Sequence, residues 1–117
     1  MYYSYFSTGN VRIDGEHANI DCMIDLCQRK QGEWIPSARV LIAALANHFD
    51  SEEMIADEEG LNMTPDHIEE HHHLKAALAT MDKQLGCGEL EKDAFLRALR
   101  DTLFFHISNF DKKLAAE

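Results

Sequence analysis

Apolar positions along this chain recur at intervals of three and four, and nowhere fall into the two-residue rhythm of a strand. The stripe His17, Ile20, Ile24 and Cys27 predicts a first helix over about 14–30. The segment QGEWIPS, with Gly32 and Pro36, breaks it and starts a second helix over 36–58, with Leu41, Leu45, His48, Glu52 and Ile55 on one face. Glu59-Gly60 ends that helix, and Thr64-Pro65, a cap residue followed by proline at the first position, opens a third. The third, over 65–85, carries His67, His71, Leu74, Leu78, Met81 and Leu85 on a single stripe. Gly86-Cys87-Gly88 closes it, and a fourth over 89–115 turns Leu99, Leu103, His106, Phe110 and Leu114 inward. Residues 1–13 precede the first helix as an N-terminal arm whose Tyr2, Tyr3, Tyr5 and Phe6 are expected to pack over one end. Four helices with short connections predict an all-α, antiparallel up-down-up-down bundle occupying 14–117.

Composition narrows the picture without changing it. With 117 residues, 45% of them apolar, the chain suits one domain around one core. No run of apolar residues reaches membrane-spanning length. The opening MYYSYFSTGN lacks the basic and apolar regions of a signal peptide, so cytoplasmic residence is expected. A formal charge of −10 excludes nucleic acid as a natural partner and disfavours an anionic membrane surface. Cys22, Cys27 and Cys87 include no C-x-x-C pair, which argues against a disulfide framework or a thiolate zinc site. Cys22 and Cys27 are expected as small apolar fillers in a reducing compartment.

The polar residues inside the apolar stripes carry the chemistry. His48 and Glu52, and again His67 and His71, stand four apart, which stacks each pair on one helix face. His17 and His106 occupy the inward stripes of the other two helices, and Asp111 follows His106 by five. Burying five imidazoles and two carboxylates without a cation would cost several kcal/mol per ionised carboxylate, in a domain whose whole stability is about 5–15 kcal/mol. A metal cluster uses the same groups as ligands. Seven donors exceed what one ion needs, whereas two six-coordinate ions sharing Glu52, Asp111 and a solvent oxygen employ them all. The ion with three histidines is then saturated and the ion with two keeps a vacancy for a small exogenous ligand. Ile24 and Leu103 make the vicinity apolar, favouring an uncharged one. Donors of this kind suit iron, manganese, cobalt or zinc. Residues five apart lie about 140° apart on an ideal helix, so either Asp111 reaches the cluster from the flank or the helix is locally wound wider there.

In this order, IDGEH (13–17), HFDSEE (48–53), HIEEH (67–71) and HISNFD (106–111) resemble the hemerythrin family, specifically bacterial hemerythrins, over about residues 11–115. The resemblance implies a non-haem di-iron centre, oxo- or hydroxo-bridged, that binds O2 or another small exogenous ligand reversibly and is not an enzyme. It places His67, His71 and His106 on one iron and His17 and His48 on the other, with Glu52 and Asp111 bridging and Leu103 over the O2 pocket. Glu16 stands where the family often has Gln. Ala56 stands where Met is common, which is expected to leave the pocket or a tunnel wider, and the loop Gly60-Leu61-Asn62 lacks the usual Tyr-Pro. His72 and His73 turn away from His71 by about 100° and 200° and are expected at the surface or behind the ligands.

Two other chemistries share fragments of this pattern. HIEEH matches the H-x-x-E-H motif of zinc metalloproteases but leaves His17, His48 and His106 without a role. Glu70-His71-His72-His73 contains one Glu-x-x-His, as in di-iron carboxylate oxidases and ferroxidases, which need it twice. Within the resemblance, an O2 carrier or store stands against an O2 or redox sensor attached to a signalling output domain. The helical ending LAAE is what a domain cut from a longer chain would have.

Overall fold

The computed structural model describes residues 7–116. It is an antiparallel four-helix bundle with no strand among the described residues: α1 Val11–Arg29, α2 Ile35–Glu59, α3 Pro65–Gly86 and α4 Lys92–His106, the last continued by a π-helical turn, Ile107–Asp111, and a final turn α5, Lys112–Ala115. Helix α1 packs on α2 and α4, and α2 on α3. The aromatic residues expected to cover one end, Tyr2, Tyr3, Tyr5 and Phe6, lie outside the described residues.

The helix ends follow local chemistry. Helix α1 begins three residues before its first apolar stripe suggests, because the Asn10 side chain accepts hydrogen bonds from the amides of Arg12 and Ile13. Asp14, expected to open the helix, instead accepts from the Thr8 hydroxyl at 2.7 Å and fastens the approaching strand of chain to the first turn. Helix α4 starts at Lys92 rather than 89, where the Glu91 carboxylate accepts from the Ala94 amide. Thr64 caps α3 through the His67 amide, with Pro65 in its first position.

Gly60 ends α2 in the left-handed region, φ +70°, and the Leu61 amide reaches back to the Ala56 carbonyl at 2.8 Å. A methyl group at Gly60 would meet nothing within 4 Å, so the cost of Gly60→Ala is conformational alone. It should lower stability by about 1 kcal/mol, read as a reduced denaturation midpoint at unchanged m-value.

The interior is built in three storeys. The larger apolar cluster runs from Ile20, Ile24 and Cys27 across Leu41, Leu45 and Phe49 to Leu78, Leu96, Leu99 and Leu103. A small one of Ile13, Ile55, Ala56 and Leu114 closes the other end. Between them, buried polar side chains come from every long helix and from the π-helical turn. Of the cysteines expected inside, Cys27 is buried, but Cys22 is exposed because it falls off the stripe that Ile20 and Ile24 define.

Candidate metal centre

The polar storey consists of His17 on α1, His48 and Glu52 on α2, His67 and His71 on α3, His106 at the end of α4 and Asp111 at the end of the π-helical turn. None exceeds 3% exposure. Each helix reaches this depth with the residue its periodicity puts there. His17 follows Ile13 by one turn, His48 and Glu52 stack one turn apart, and so do His67 and His71. The five-residue interval from His106 to Asp111 is bridged by the wider π-helical winding of Ile107–Asp111, which returns Asp111 to the face of His106. His106 Nε2 lies 2.9 Å from Asp111 Oδ1.

The seven side chains form two groups of mutually close donor atoms, and Glu52 and Asp111 belong to both. In the first, Glu52 Oε1 lies 3.0 Å from His67 Nε2, 2.9 Å from His71 Nε2 and 3.6 Å from His106 Nε2. Asp111 Oδ1 lies 3.1 Å from His67 Nε2. In the second, the other oxygen of each carboxylate is used: Asp111 Oδ2 is 3.0 Å from His17 Nε2, and Glu52 Oε2 is 3.7 Å from His48 Nε2. The His17 and His48 rings meet edge to face, 4.9 Å between centroids.

This donor set fits a pair of metal ions. His71 Nε2 and His106 Nε2 stand 3.2 Å apart, a distance at which two imidazoles can share at most one proton. His48 Nε2 and Glu52 Oε2 are fully buried with no hydrogen-bond partner among the described residues. Cations placed between the carboxylate oxygens and the imidazoles would engage these lone pairs together, which internal protons cannot do.

Electrostatics in the metal-free protein show the same convergence. Burial alone would lower the pKa of His106, but hydrogen bonds to Asp111 and Glu52 outweigh it and raise the value to about 9. His67 shifts upward for the same reasons. Burial would raise Glu52, yet hydrogen bonds from His106, His67 and His71 bring it down to about 2. Asp111, buried likewise, is held well below the ordinary carboxylate range by His106, His17 and His67.

A second ring of groups supports the imidazoles. His48 Nδ1 lies 2.7 Å from Glu16 Oε1, and His71 Nδ1 lies 2.8 Å from Glu53 Oε2. Phe49 stacks on the His71 ring at 4.9 Å, and Phe110 on His106 at 5.4 Å. Sequence spacing alone does not single out Glu53, because adjacent glutamates look alike until the helix phase is known. Nor does it single out Asp21, one turn beyond His17, which is buried and pairs with Arg100 at 3.2 Å. His72 and His73 are exposed. Leu103 is buried and lines an apolar cavity of about 40 Å³ with Leu45, Phe49, Leu74 and Leu99. Ala56 does not line that cavity; it is packed among Ile13, Ile55 and Leu114 at the opposite end of the polar storey.

Bundle and buried donor layer together define a helical metal-site scaffold with no membrane-crossing helix among the described residues. No family model matches the chain, and no curated protein sequence matches it. Its structure is similar to a crystal structure of wild-type hemerythrin, with TM-score 0.83 and 27% identity, over 99% of this chain and 95% of that one. The chain has a hemerythrin-like fold.

Proposed function

We propose that this protein binds O2 reversibly at a non-haem di-iron centre and is a binding protein rather than an enzyme. The observation that carries the reading is the division of labour in the two carboxylates. Glu52 and Asp111 each present one oxygen to the three-imidazole group and the other to the two-imidazole group. His67, His71 and His106 would hold one iron, His17 and His48 the other, and Glu52 and Asp111 would bridge them. An iron pair supplies reversible electron donation to O2. The chain's own residues do the rest. Two imidazoles and two shared carboxylates leave one ion short of a donor, which makes room for a small ligand.

The surroundings select an uncharged ligand. Leu103 is proposed to line the O2 pocket, and the apolar cavity beside it is separated from the donor layer by the ring of Phe49. Such a site serves O2 carriage or storage, or O2 and redox sensing where a signalling output domain is attached. The length of the native open reading frame separates these uses.

The competing chemistries need side chains that face elsewhere. A ferritin-like oxidase would require His73 inside, whereas it is 70% exposed. A metalloprotease would require an open substrate cleft at His67 and His71, both of which are buried.

Aerobic purification with metal analysis and a visible spectrum tests the reading. Two irons per chain with the near-ultraviolet and visible bands of a coupled ferric pair are expected; a colourless zinc protein would overturn it. His71→Ala should empty or unbalance the site, while His73→Ala should retain two metals. Equal losses would mean that the wrong member of the histidine run has been assigned.

A further inference from the structure

The hydrogen bonds behind the donor layer are charged where neutral ones would suffice. Glu16, on α1 beside His17, reaches across to α2 and receives two of its donors: His48 Nδ1 at 2.7 Å and the Ser51 hydroxyl at 2.5 Å. It thereby clamps together the two helices that bear the two-imidazole group. Glu16 is 32% exposed and lies in an open groove with Asn19, Asn47 and Ser51, so it remains a carboxylate at neutral pH, whereas the His48 side chain is 2% exposed. Glu53 stands in the same relation to His71 in the three-imidazole group, 35% exposed and 2.8 Å from His71 Nδ1.

We propose that Glu16 is a positioning residue that fixes His48 with Nε2 facing inward and biases the ion of the two-imidazole group toward its higher oxidation state. The inference rests on the metal-centre reading above. A neutral amide could hold the ring equally well by accepting from Nδ1. A carboxylate also draws that proton toward itself, which makes the ring a stronger electron donor at Nε2. A more highly charged cation gains more from a stronger donor and a nearby negative charge than a less charged one. The same charge opposes an anion approaching the vacancy.

Glu16→Gln keeps the size and the accepting oxygen and removes the charge. In the iron-loaded protein it should retain two metals per chain and raise the midpoint potential, an about tenfold change in the oxidised-to-reduced ratio, or about 59 mV for one electron. It should also tighten azide binding to the oxidised protein. Glu53→Gln makes the same charge change behind the saturated ion and should change azide affinity less than Glu16→Gln does. An unaltered potential and azide affinity in a fully loaded Glu16→Gln protein overturns the proposal and leaves the metal-centre reading standing. Wild-type protein that takes up no metal defeats that reading instead. Should Glu16→Gln lose its metals, Ser51→Ala decides: it leaves the carboxylate wholly to His48 and should lower the potential, and a rise overturns the proposal. In the metal-free protein the His48 Nδ1–H proton should resonate downfield, move in Glu16→Gln and persist in Glu53→Gln. Its absence from wild type overturns the proposal independently of metal.

Discussion

Removing the metal should lower the melting temperature by about 15 °C or more. A ligand that binds only the folded state at a thousand times its dissociation constant adds about 4 kcal/mol, and each kcal/mol moves the midpoint by about 4 °C or more in a domain near this size. Seven buried donors from all four long helices and the π-helical turn make the folded state the tight binder, because the unfolded chain scatters them over nearly a hundred residues. Without metal, the layer still holds internal pairs such as His106 with Asp111 at 2.9 Å and His71 with Glu52 at 2.9 Å. The metal-free bundle is therefore expected to fold, less stably, rather than to be lost. Calorimetry before and after exhaustive chelation measures the difference, and coincident melts would dispose of a metal in the core.

What made the layer legible was its period. His48 with Glu52, and His67 with His71, keep the four-residue step of their helices, so the faces they share with Leu45 and Leu74 can be read from the chain alone. Asp111 breaks that step, and the spacing admits both a flank approach and a wider winding. The structure contains the wider winding, and its consequence is visible in Phe110, which moves off the buried stripe to stack half-buried on His106. The start of α1 was hidden because Asn10 follows Gly9, a pairing that reads as a turn; only the hydrogen bonds of its side chain reveal a cap. Asp21 and Glu53 were hidden for another reason. Their partners, Arg100 and His71, lie on other helices, and a long-range pair leaves no periodic trace.

Rising pH should weaken the metal-free protein and leave the metal-loaded one nearly unchanged between about pH 6.5 and 9. In the metal-free bundle His106 is raised from 6.5 to about 9, burial being outweighed by its bonds to Asp111 and Glu52. A group raised on folding contributes stability that is fully present below its unfolded value and disappears as pH climbs through the folded one. Glu52, lowered from 4.5 to about 2, contributes stability present above 4.5 and lost as pH falls toward 2. The metal-free protein should thus be most stable between about pH 4.5 and 6.5 and weaken from there to pH 9. Metal requires neutral imidazoles, so loading must expel the protons that His106 and His67 hold. For each proton released, apparent metal affinity rises about tenfold per pH unit until the imidazole is neutral without help. The loaded protein, whose imidazoles carry no proton to lose, should accordingly hold its stability over the range in which the metal-free one declines, and the gap between their melting temperatures should widen with pH. At pH 3 the metals should be lost. Parallel melting curves from pH 6.5 to 9, or full metal retention at pH 3, would show that the imidazoles facing Glu52 and Asp111 are not the groups that exchange protons for metal.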